Sequence, residues 1–356
     1  MPKRKNQNST IAIILIGGKT EEGIKTVEKR YAAIDLGSNS CRLTIADERG
    51  DVIFKNHTAT KLAEGLFSSG KLSEESIKRA LDTFDMFYHD LRTYQVPAQN
   101  IRAIATAACR VASNSADLQK LIKNRTGINL EIIDEKEEAE LNLLGGITHV
   151  LGKSKYVVLY DLGGASTEIT LATNNVKPKT LHTISIPWGA RNATEAFGTD
   201  KYTEEKGSEL RTEIAKYVKK FVKDAKMKDC EDIVFVATSS TPLRLVSILE
   251  GMPGYNREDM DGRIINCTAA DRLIPSLLQR KPEDMAKDVH IGENRAPIFA
   301  AACIIFQTIY KELGAKEILA SLSSAQNGII QQFVERDNGK ANKICETGSR
   351  QAYADR

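Results

Sequence analysis

Residues that could bind a phosphate and a cation are concentrated in one stretch, Val157 to Leu171. An apolar run ends there at Asp161, and Glu168 follows seven residues later at the start of a second β-rich run. A glycine turn and two hydroxyl side chains separate the two acids, namely Gly163, Gly164, Ser166 and Thr167. Glycines let backbone N–H groups approach a phosphate closely, and Mg²⁺ prefers oxygen ligands such as carboxylates. The stretch therefore predicts a site for a phosphate and a divalent cation.

The same plan occurs earlier in the chain, in the stretch Tyr31 to Ala46. Asp35 closes an apolar strand there, and a second predicted strand runs through Ile45. The turn between the two strands consists of Gly37, Ser38, Asn39 and Ser40. A single glycine turn is also typical of an ordinary hairpin. Two matching hairpins, however, predict a duplicated domain with a cleft between its halves.

Three further charged side chains follow predicted strands. Arg110 comes soon after the strand Ile101 to Thr106 and has no carboxylate within three residues. Its guanidinium could therefore bind a phosphate in a bidentate manner, with an ordinary surface arginine as the alternative. Glu137 and Glu138 open a predicted helix, where a negative charge also suits the helix N-terminus.

Four motifs together resemble the exopolyphosphatase and guanosine pentaphosphate phosphohydrolase (Ppx/GppA) family, within the superfamily of actin, sugar kinases and Hsp70. Two of them are the glycine turns, and the others are ATAACRVASN at residues 105–114 and IIDEKEEAEL at 132–141. The resemblance covers residues 31–330. It implies an α/β fold of two duplicated ribonuclease H-like domains, as in actin-like ATPases, with a cleft between them. It also implies the short, two-domain form of the family.

The length of the chain, 356 residues, is too great for a single core and suggests two domains. We expect an N-terminal tail at residues 1–29, a first actin-like domain at 30–142, a second at 143–333, and a C-terminal tail at 334–356 that frays from Arg336 onward. Lysines near the N-terminus followed by a short apolar run resemble the start of a signal peptide. No small-residue cleavage site follows that run, so we do not expect export.

Composition indicates which binding partners and which cellular location to expect. The net charge of +3 is small for this length, which argues against a general role in nucleic-acid binding. The apolar run near the N-terminus is too short to span a membrane. Six cysteines without C-x-x-C spacing favour reduced thiols and a cytoplasmic protein, and five isolated histidines suggest no zinc site. The oligomeric state stays open, with a homodimer as one alternative.

The family resemblance implies a hydrolase of phosphoanhydrides with Mg²⁺ or Mn²⁺ as cofactor. The cation would bind Asp35, Asp161 and Glu168, while Glu138 would position the attacking water. Arg110 and the residues of both glycine turns would hold the phosphoryl group. We expect inorganic polyphosphate as the substrate, which makes the protein an exopolyphosphatase. The alternatives are hydrolysis of guanosine pentaphosphate, non-catalytic binding of polyphosphate or an alarmone, and an ATP-dependent kinase.

The chain departs from the family pattern in two regions. Ser239 and Ser240 stand where the family carries a Gly-Gly-Thr turn, which in kinases and actins lies against the nucleotide. Serine side chains keep the backbone farther from a ligand than glycines do, so this turn favours polyphosphate over a nucleotide. Uncharged residues also replace charged ones of the family nearer the C-terminus, at Pro297, Leu322, Gln326 and Asn327.

Lysines recur along a predicted helix, Tyr202 to Lys226. A solvated helix face is the usual explanation of such a series. A track for polyphosphate is the alternative, because affinity for polyanions comes from arrays of cations.

Overall fold

The computed structural model describes residues 29–175, 177–322 and 324–351. The predicted N-terminal tail lies outside these residues except for Lys29, and so do residues 352–356 of the predicted C-terminal tail. The strands in the described residues are β1 Tyr31–Leu36, β2 Cys41–Ala46, β3 Val52–Thr58, β4 Ile101–Ala105, β5 Leu130–Ile132, β6 Tyr156–Leu162, β7 Thr167–Thr173, β8 Thr180–Ile186, β9 Ile233–Thr238, β10 Ile264–Asn266 and β11 Glu317–Ser321.

The α-helices in the same part of the chain are α1 Leu66–Ser69, α2 Glu74–Thr93, α3 Ala107–Val111, α4 Ser115–Thr126, α5 Glu135–Gly146, α6 Ala190–Phe197, α7 Glu204–Asp224, α8 Ser240–Leu249, α9 Cys267–Leu278, α10 Pro282–Lys287, α11 Ala296–Leu313 and α12 Ala325–Gln351. Short 3₁₀ turns occur at Ala98–Asn100, Thr199–Lys201 and Met227–Asp229.

The strands form two sheets with the same internal plan. The first sheet has the order β3-β2-β1-β4-β5, and the second has the order β10-β11-β9-β6-β7-β8. In the first sheet β1, β2 and β3 are antiparallel neighbours, and β4 and β5 continue the sheet in parallel on the other side of β1. In the second sheet β6, β7 and β8 are antiparallel neighbours, and β9 and β11 continue the sheet in parallel on the other side of β6. Strand β10 is an additional antiparallel edge in the second sheet. The topology confirms the predicted duplication.

Apolar residues recur at helical spacing after Ser73 and form α2. The Ser73 side chain accepts a hydrogen bond from the Ser76 backbone N–H at 3.1 Å, which caps the helix start. Phe84, Phe87 and Leu91 lie buried along one face and pack in the core of the first sheet. This aromatic stripe serves the core, whereas Met86 on the same helix is 39% exposed.

Helix α11 forms the centre of the second core. Nearly all of its side chains are buried, and it packs against α6, α7 and α9. Within the described part of the chain it is the helix that is long and apolar enough to span a membrane, with a mean hydropathy of 1.3 and 83% of its window buried inside the protein. Its apolar surface is thus covered by the surrounding helices and sheet.

Two helices connect the halves and cross at close range. Helix α5 leads from the first sheet to the second, and α12 returns. A Cβ atom on Gly145 would lie 2.3 Å from the Ser324 carbonyl oxygen, and one on Gly328 would lie 2.2 Å from the Leu141 carbonyl oxygen. Glycine is therefore required at the crossing because the two backbones are nearly in contact.

The C-terminal part of the chain differs from the expected boundaries. Ile329, Ile330 and Phe333, predicted in the second domain, pack on the first sheet, where the Phe333 ring stacks on Tyr31 of β1 at 5.3 Å. Helix α12 continues to Gln351 instead of fraying near Arg336, whose guanidinium donates to the Asn100 side chain at 3.0 Å. Contacts with the first sheet thus hold this helix. The remaining boundaries stay a prediction.

Candidate active site

Each sheet presents a glycine turn of the same geometry to the space between the domains. The Gly37 N–H donates to the Ser40 carbonyl at 3.0 Å, and the Gly163 N–H donates to the Ser166 carbonyl at 3.0 Å. These two N–H groups close their turns and are not available to a ligand. The next N–H groups, of Ser38 and Gly164, have no acceptor in the described residues. They are free to donate to an anion.

The two turns touch each other across the cleft. A Cβ atom on Gly164 would lie 3.1 Å from the Ser38 Cβ and 3.4 Å from the Asn39 backbone nitrogen. Neither Gly163 nor Gly164 has a positive φ. The glycines are needed here for close approach and not for a left-handed backbone.

The turns enclose a narrow pocket of about 70 Å³. That volume holds a few water molecules, which is the scale of one phosphoryl group. Most predicted site residues line it: Asp35, Gly37, Ser38, Asn39, Ser40, Glu138, Asp161, Gly163, Gly164 and Ser166. Thr167 does not, because its hydroxyl is buried and donates to the Trp188 carbonyl at 2.8 Å. The prediction that Thr167 binds phosphate is therefore wrong in this arrangement.

Three carboxyl groups converge beside the pocket, and two of them, Glu138 and Asp161, line it. Oxygen atoms of Glu138, Asp161 and Glu168 all lie within 4.8 Å of one another. Asp35 lines the same pocket but is not part of this group. An all-oxygen set of this kind fits a hard divalent cation such as Mg²⁺ or Mn²⁺.

Burial and mutual repulsion disfavour the charged forms of these acids. Burial, together with the Asp161 charge, raises the pKa of Glu168 to about 7. Burial also raises the pKa of Asp35 to about 6, again with a contribution from Asp161. The pKa of Glu138 lies well above its ordinary value because of burial and the nearby Glu168. A cation would relieve this repulsion, so the raised pKa values and the carboxylate ligands both favour a cation site.

Two polar residues that sequence reasoning missed hold these carboxylates. The Asn142 amide donates to Asp161 Oδ2 at 2.9 Å, and the Ser185 hydroxyl donates to Glu168 Oε1 at 2.9 Å. Asn142 follows Glu138 by four residues on α5, so both point to one side of the helix. That spacing could have identified Asn142. Ser185 lies opposite Glu168 in the β7–β8 pairing.

Arg110 is not free, in contrast to the prediction. Its Nη1 lies 2.6 Å from Glu138 Oε2, its Nε lies 3.2 Å from Glu135 Oε1, and its Nη2 lies 4.0 Å from Glu168 Oε1. The partners come from helix α5 and strand β7, far from Arg110 in sequence, so a search for nearby carboxylates could not find them. Arg110 thus acts on the acids themselves and positions Glu138.

Of the adjacent glutamates, Glu138 faces the pocket. Its side chain is 7% exposed, whereas Glu137 pairs with Arg102 at 2.5 Å on the other side of the helix. The Asp134 side chain accepts from the Glu137 N–H at 2.8 Å and caps helix α5. The cap fixes the start of the helix and hence the direction of Glu138.

Two arginines that were not selected from the sequence also line the pocket. Arg42 lies opposite Asp35 in the β1–β2 register, and Arg295 precedes helix α11. Burial and the positive charges of Arg244 and Arg42 lower the pKa of Arg295 to about 9. In the described part of the chain neither arginine forms an ion pair. The hairpin register could have revealed Arg42, whereas Arg295 is brought in by the tertiary fold alone.

Ser239 also lines the pocket, in an unusual conformation. Its φ is +89° and its ψ is −174°, a region that glycine adopts and other residues rarely do. Its buried hydroxyl has no hydrogen-bond partner in the described structure. The backbone thus keeps the conformation expected of the family's glycine, and the serine adds a hydroxymethyl group at the pocket.

The other departures lie away from the phosphate pocket. Gln326 donates to the Ala33 carbonyl at 3.0 Å, and the Asn327 side chain accepts from the Ser324 N–H at 3.3 Å, both at the start of α12. The Leu322 N–H donates to Asp261 at 2.7 Å. These residues belong to the connection between the domains.

Three lysines of α7 form ion pairs on the protein surface. Lys216 lies 2.7 Å from Glu213, Lys219 lies 3.6 Å from Glu312, and Lys220 pairs with Asp224. Partnered lysines of this kind favour a solvated helix face over a polyphosphate track.

Comparison with known sequences identifies a phosphatase family, in agreement with the glycine turns and acids described above. The profile of the Ppx/GppA phosphatase family matches residues 44–337. A guanosine-5′-triphosphate,3′-diphosphate pyrophosphatase of Photobacterium profundum is 26% identical over 312 residues, which cover 86% of this chain and 59% of that protein. A bifunctional 3-dehydroquinate synthase/phosphatase of Fusobacterium nucleatum is 26% identical over 358 residues, with 93% of this chain and 53% of that protein covered. The chain therefore spans between one half and two thirds of the length of these curated relatives.

Solved structures show the same fold. The Ppx/GppA family member of Aquifex aeolicus superposes with a TM-score of 0.72 at 23% identity, covering 87% of this chain and 99% of that chain. An exopolyphosphatase of Cytophaga hutchinsonii superposes with a TM-score of 0.76 at 23% identity, covering 86% and 98%. The predicted actin-like α/β fold with two domains is thus confirmed.

Proposed function

The chain belongs to the Ppx/GppA phosphatase family, and from this premise we propose that it is a divalent-cation-dependent hydrolase that releases terminal phosphate from inorganic polyphosphate. The observation that carries the proposal is the convergence of Glu138, Asp161 and Glu168 beside two free turn N–H donors and two unpaired arginines. Acids for a cation and donors for a phosphoryl group are the two requirements of phosphoanhydride cleavage.

The turns and arginines bind the substrate in this proposal. The free N–H groups of Ser38 and Gly164 donate to oxygens of the terminal phosphoryl group. Arg42 and Arg295 hold the following phosphates, because guanidinium groups bind phosphate in a bidentate manner. Each of these donors is fixed by a strand end or a helix start, so little reorganisation is required when negative charge develops.

The carboxylates bind the cation and activate the attacking water in this proposal. Asp161 and Glu168 would hold the cation, and Asp35, which lines the same pocket, would be a further carboxylate near it. When bound, the cation neutralises the negative charge of the phosphoryl oxygens. Glu138, kept in place by Arg110 at 2.6 Å, accepts a hydrogen bond from the attacking water and takes its proton.

Ser239 supports polyphosphate as the substrate. The pocket of about 70 Å³ has the size of one terminal phosphoryl group, whichever substrate carries it. The Ser239 side chain lies where the family's glycine leaves bare backbone. Guanosine pentaphosphate is the second candidate, because the Photobacterium relative carries the name of an enzyme acting on such a nucleotide.

Substrate competition tests this proposal. Phosphate release is measured from polyphosphate, guanosine pentaphosphate and ATP, each with and without Mg²⁺. We expect the highest kcat/KM with polyphosphate and no release without a divalent cation. In a Ser239→Gly, Ser240→Gly double variant, ATP and guanosine pentaphosphate should inhibit polyphosphate hydrolysis more strongly than in the wild type. A wild type that hydrolyses guanosine pentaphosphate more efficiently than polyphosphate would contradict the assignment.

A further inference from the structure

A second cavity, of about 800 Å³, lies between the two domains. We call it the side cavity; it shares no lining residue with the phosphate pocket. Phe67 of α1 lines it from the first domain, and Trp188, Arg191, Glu195 and Ile298 line it from the second. Its volume falls within the roughly 300–1,000 Å³ typical of small-molecule sites. A ligand there would contact both domains.

The floor of the side cavity contains a positive charge without a counter-ion. Arg191 is 8% exposed and forms no ion pair with any described carboxylate. One terminal nitrogen donates to the Asn39 side chain, whereas the buried Nε has no hydrogen-bond partner in the described residues. Burial also lowers the pKa of Arg191. A buried guanidinium with an unused donor favours an anionic ligand.

The walls of the side cavity are aromatic and apolar. Phe67 is 42% exposed, so its ring is accessible to a ligand in the cavity. Trp188 is fixed by edge-on packing against Phe197 at 5.0 Å and by its N–H, which donates to Glu213 at 3.4 Å. Ile298 is buried at the start of α11. Two aromatic side chains on opposite domains provide flat surfaces for a planar ring.

Two acids also line the cavity, Glu195 and Asp200. Glu195 lies one helical turn beyond Arg191 on α6 and lines the same cavity. A carboxylate accepts hydrogen bonds and donates none, so it matches a ligand group that carries N–H donors. The cavity therefore offers a cation at its floor, aromatic walls, and an acceptor at its rim.

We propose that the side cavity binds a purine nucleoside monophosphate as an effector. The phosphate binds Arg191, the base lies between Phe67 and Trp188, and Glu195 accepts from the N–H groups at the edge of the base. Because the ligand contacts both domains, its binding favours the closed arrangement of the cleft. The Arg191 contact with Asn39 connects it to the first glycine turn. This proposal does not depend on which phosphoanhydride the phosphate pocket hydrolyses.

The fluorescence of Trp188 measures binding directly, because it is the only tryptophan in the sequence. The full-length protein is titrated with GMP and AMP, and separately with ribose 5-phosphate and inorganic phosphate, with excitation where purines do not absorb. We expect a saturable change with a purine nucleotide. Ribose 5-phosphate, which lacks the base, should bind at least about tenfold more weakly, since it loses the aromatic contacts.

Two variants locate the ligand. Phe67→Ala should raise the Kd about tenfold, whereas Met86→Ala, which removes a similarly exposed side chain from α2 outside the cavity, should not change it. Both should unfold at the wild-type temperature within about 2 °C, as expected for exposed positions. Arg42→Ala, which removes a guanidinium from the phosphate pocket and none from the side cavity, should bind the nucleotide as the wild type does, which separates this result from any failure of the hydrolase proposal.

Three results would overturn the proposal. The first is the absence of a saturable fluorescence change with either nucleotide. The second is equal affinity for ribose 5-phosphate and the nucleotides, because the base would then make no contact. The third is loss of nucleotide binding in Arg42→Ala with normal binding in Phe67→Ala, which would place the ligand in the phosphate pocket.

Discussion

At the residue scale, the chemistry of the cleft depends on acids that the fold buries close together. Glu138, Asp161 and Glu168 lie within 4.8 Å of one another, and each has a polar or charged neighbour that fixes its orientation. Burial raises the pKa values of all three. Such a group is unfavourable without a cation, so these residues are placed for binding at a cost in stability.

Ser239 illustrates strain at the site. Its backbone conformation is one that glycine adopts without penalty, so we expect Ser239→Gly to stabilise the protein by about 1–3 kcal/mol. Ser240→Gly is the matched control. Ser240 is the first residue of α8, where glycine should destabilise by about 0.5–1 kcal/mol. Urea unfolding midpoints measure both, and a Ser239→Gly protein less stable than the wild type would refute the strain.

Residue roles were predictable where they depend on local sequence. The acid and glycine of the first hairpin, and the two acids and two glycines of the second, are visible because a tight turn places them within a few residues. The partners of Arg110 were not visible, because helix α5 and strand β7 bring Glu135, Glu138 and Glu168 to it from distant parts of the chain. The buried hydroxyl of Thr167 was misjudged for the same reason, since its acceptor lies on the loop after β8.

At the element scale, two connecting helices set the relation between the domains. Helix α5 carries Glu138 and Asn142 to the cleft at its start and crosses α12 near its end. The sequence predicted α5 from its acids, but the role of α12 was not predicted, because its apolar residues gave no sign that they return to the first sheet. The duplicated strand order, in contrast, followed from the repeated hairpin.

The glycine crossing of these helices gives a prediction at this scale. A Cβ atom on Gly145 would lie 2.3 Å from a backbone oxygen, so Gly145→Ala should destabilise the protein by about 1–3 kcal/mol even though alanine favours helices. Gly254→Ala is the control, because no atom lies within 4 Å of the added methyl group; its effect should stay within about 0.5 kcal/mol. Chemical denaturation compares the two. Equal stability of both variants would show that the crossing is not tight.

At the scale of the whole molecule, the two halves meet through the acids and turns of the cleft. The glycine turns touch, and the charge of Asp161 on one side raises the pKa of Asp35 on the other. Binding in the cleft therefore contributes to the stability of the closed molecule as a whole. The sequence predicted the cleft, but the side cavity and the position of Arg295 at the phosphate pocket depend on distant segments of the chain and could not be located from one strand or helix.

The raised pKa values predict how Mg²⁺ stabilises the protein at different pH. The pKa of Glu168 rises from 4.5 to about 7 and that of Asp35 from 3.8 to about 6. The metal-free folded state then binds protons more tightly than the unfolded chain, so this stability is present below about pH 4 and is lost as the pH rises toward about 7. Mg²⁺ binds the charged forms and should replace the lost stability.

Thermal unfolding with and without saturating Mg²⁺ measures this linkage. We expect the increase in Tm on adding Mg²⁺ to be larger at about pH 8 than at about pH 5, because protons compete for the carboxylates at the lower pH. A Glu168→Gln variant, which lacks one of the three acids, should show a smaller increase at the higher pH. An increase of the same size at both pH values in the wild type would contradict a carboxylate site.

If the acids around Glu138 hydrolyse a phosphoanhydride, phosphate release from polyphosphate at saturating Mg²⁺ must depend on Glu138. The measurement compares the wild type, Glu138→Gln and Glu137→Gln, a matched pair of neighbouring acids of which only Glu138 faces the pocket. We predict a fall in kcat of roughly a hundredfold or more for Glu138→Gln with little change in KM, and wild-type kcat for Glu137→Gln. Wild-type turnover in Glu138→Gln, or an equal loss in both variants, would contradict the account.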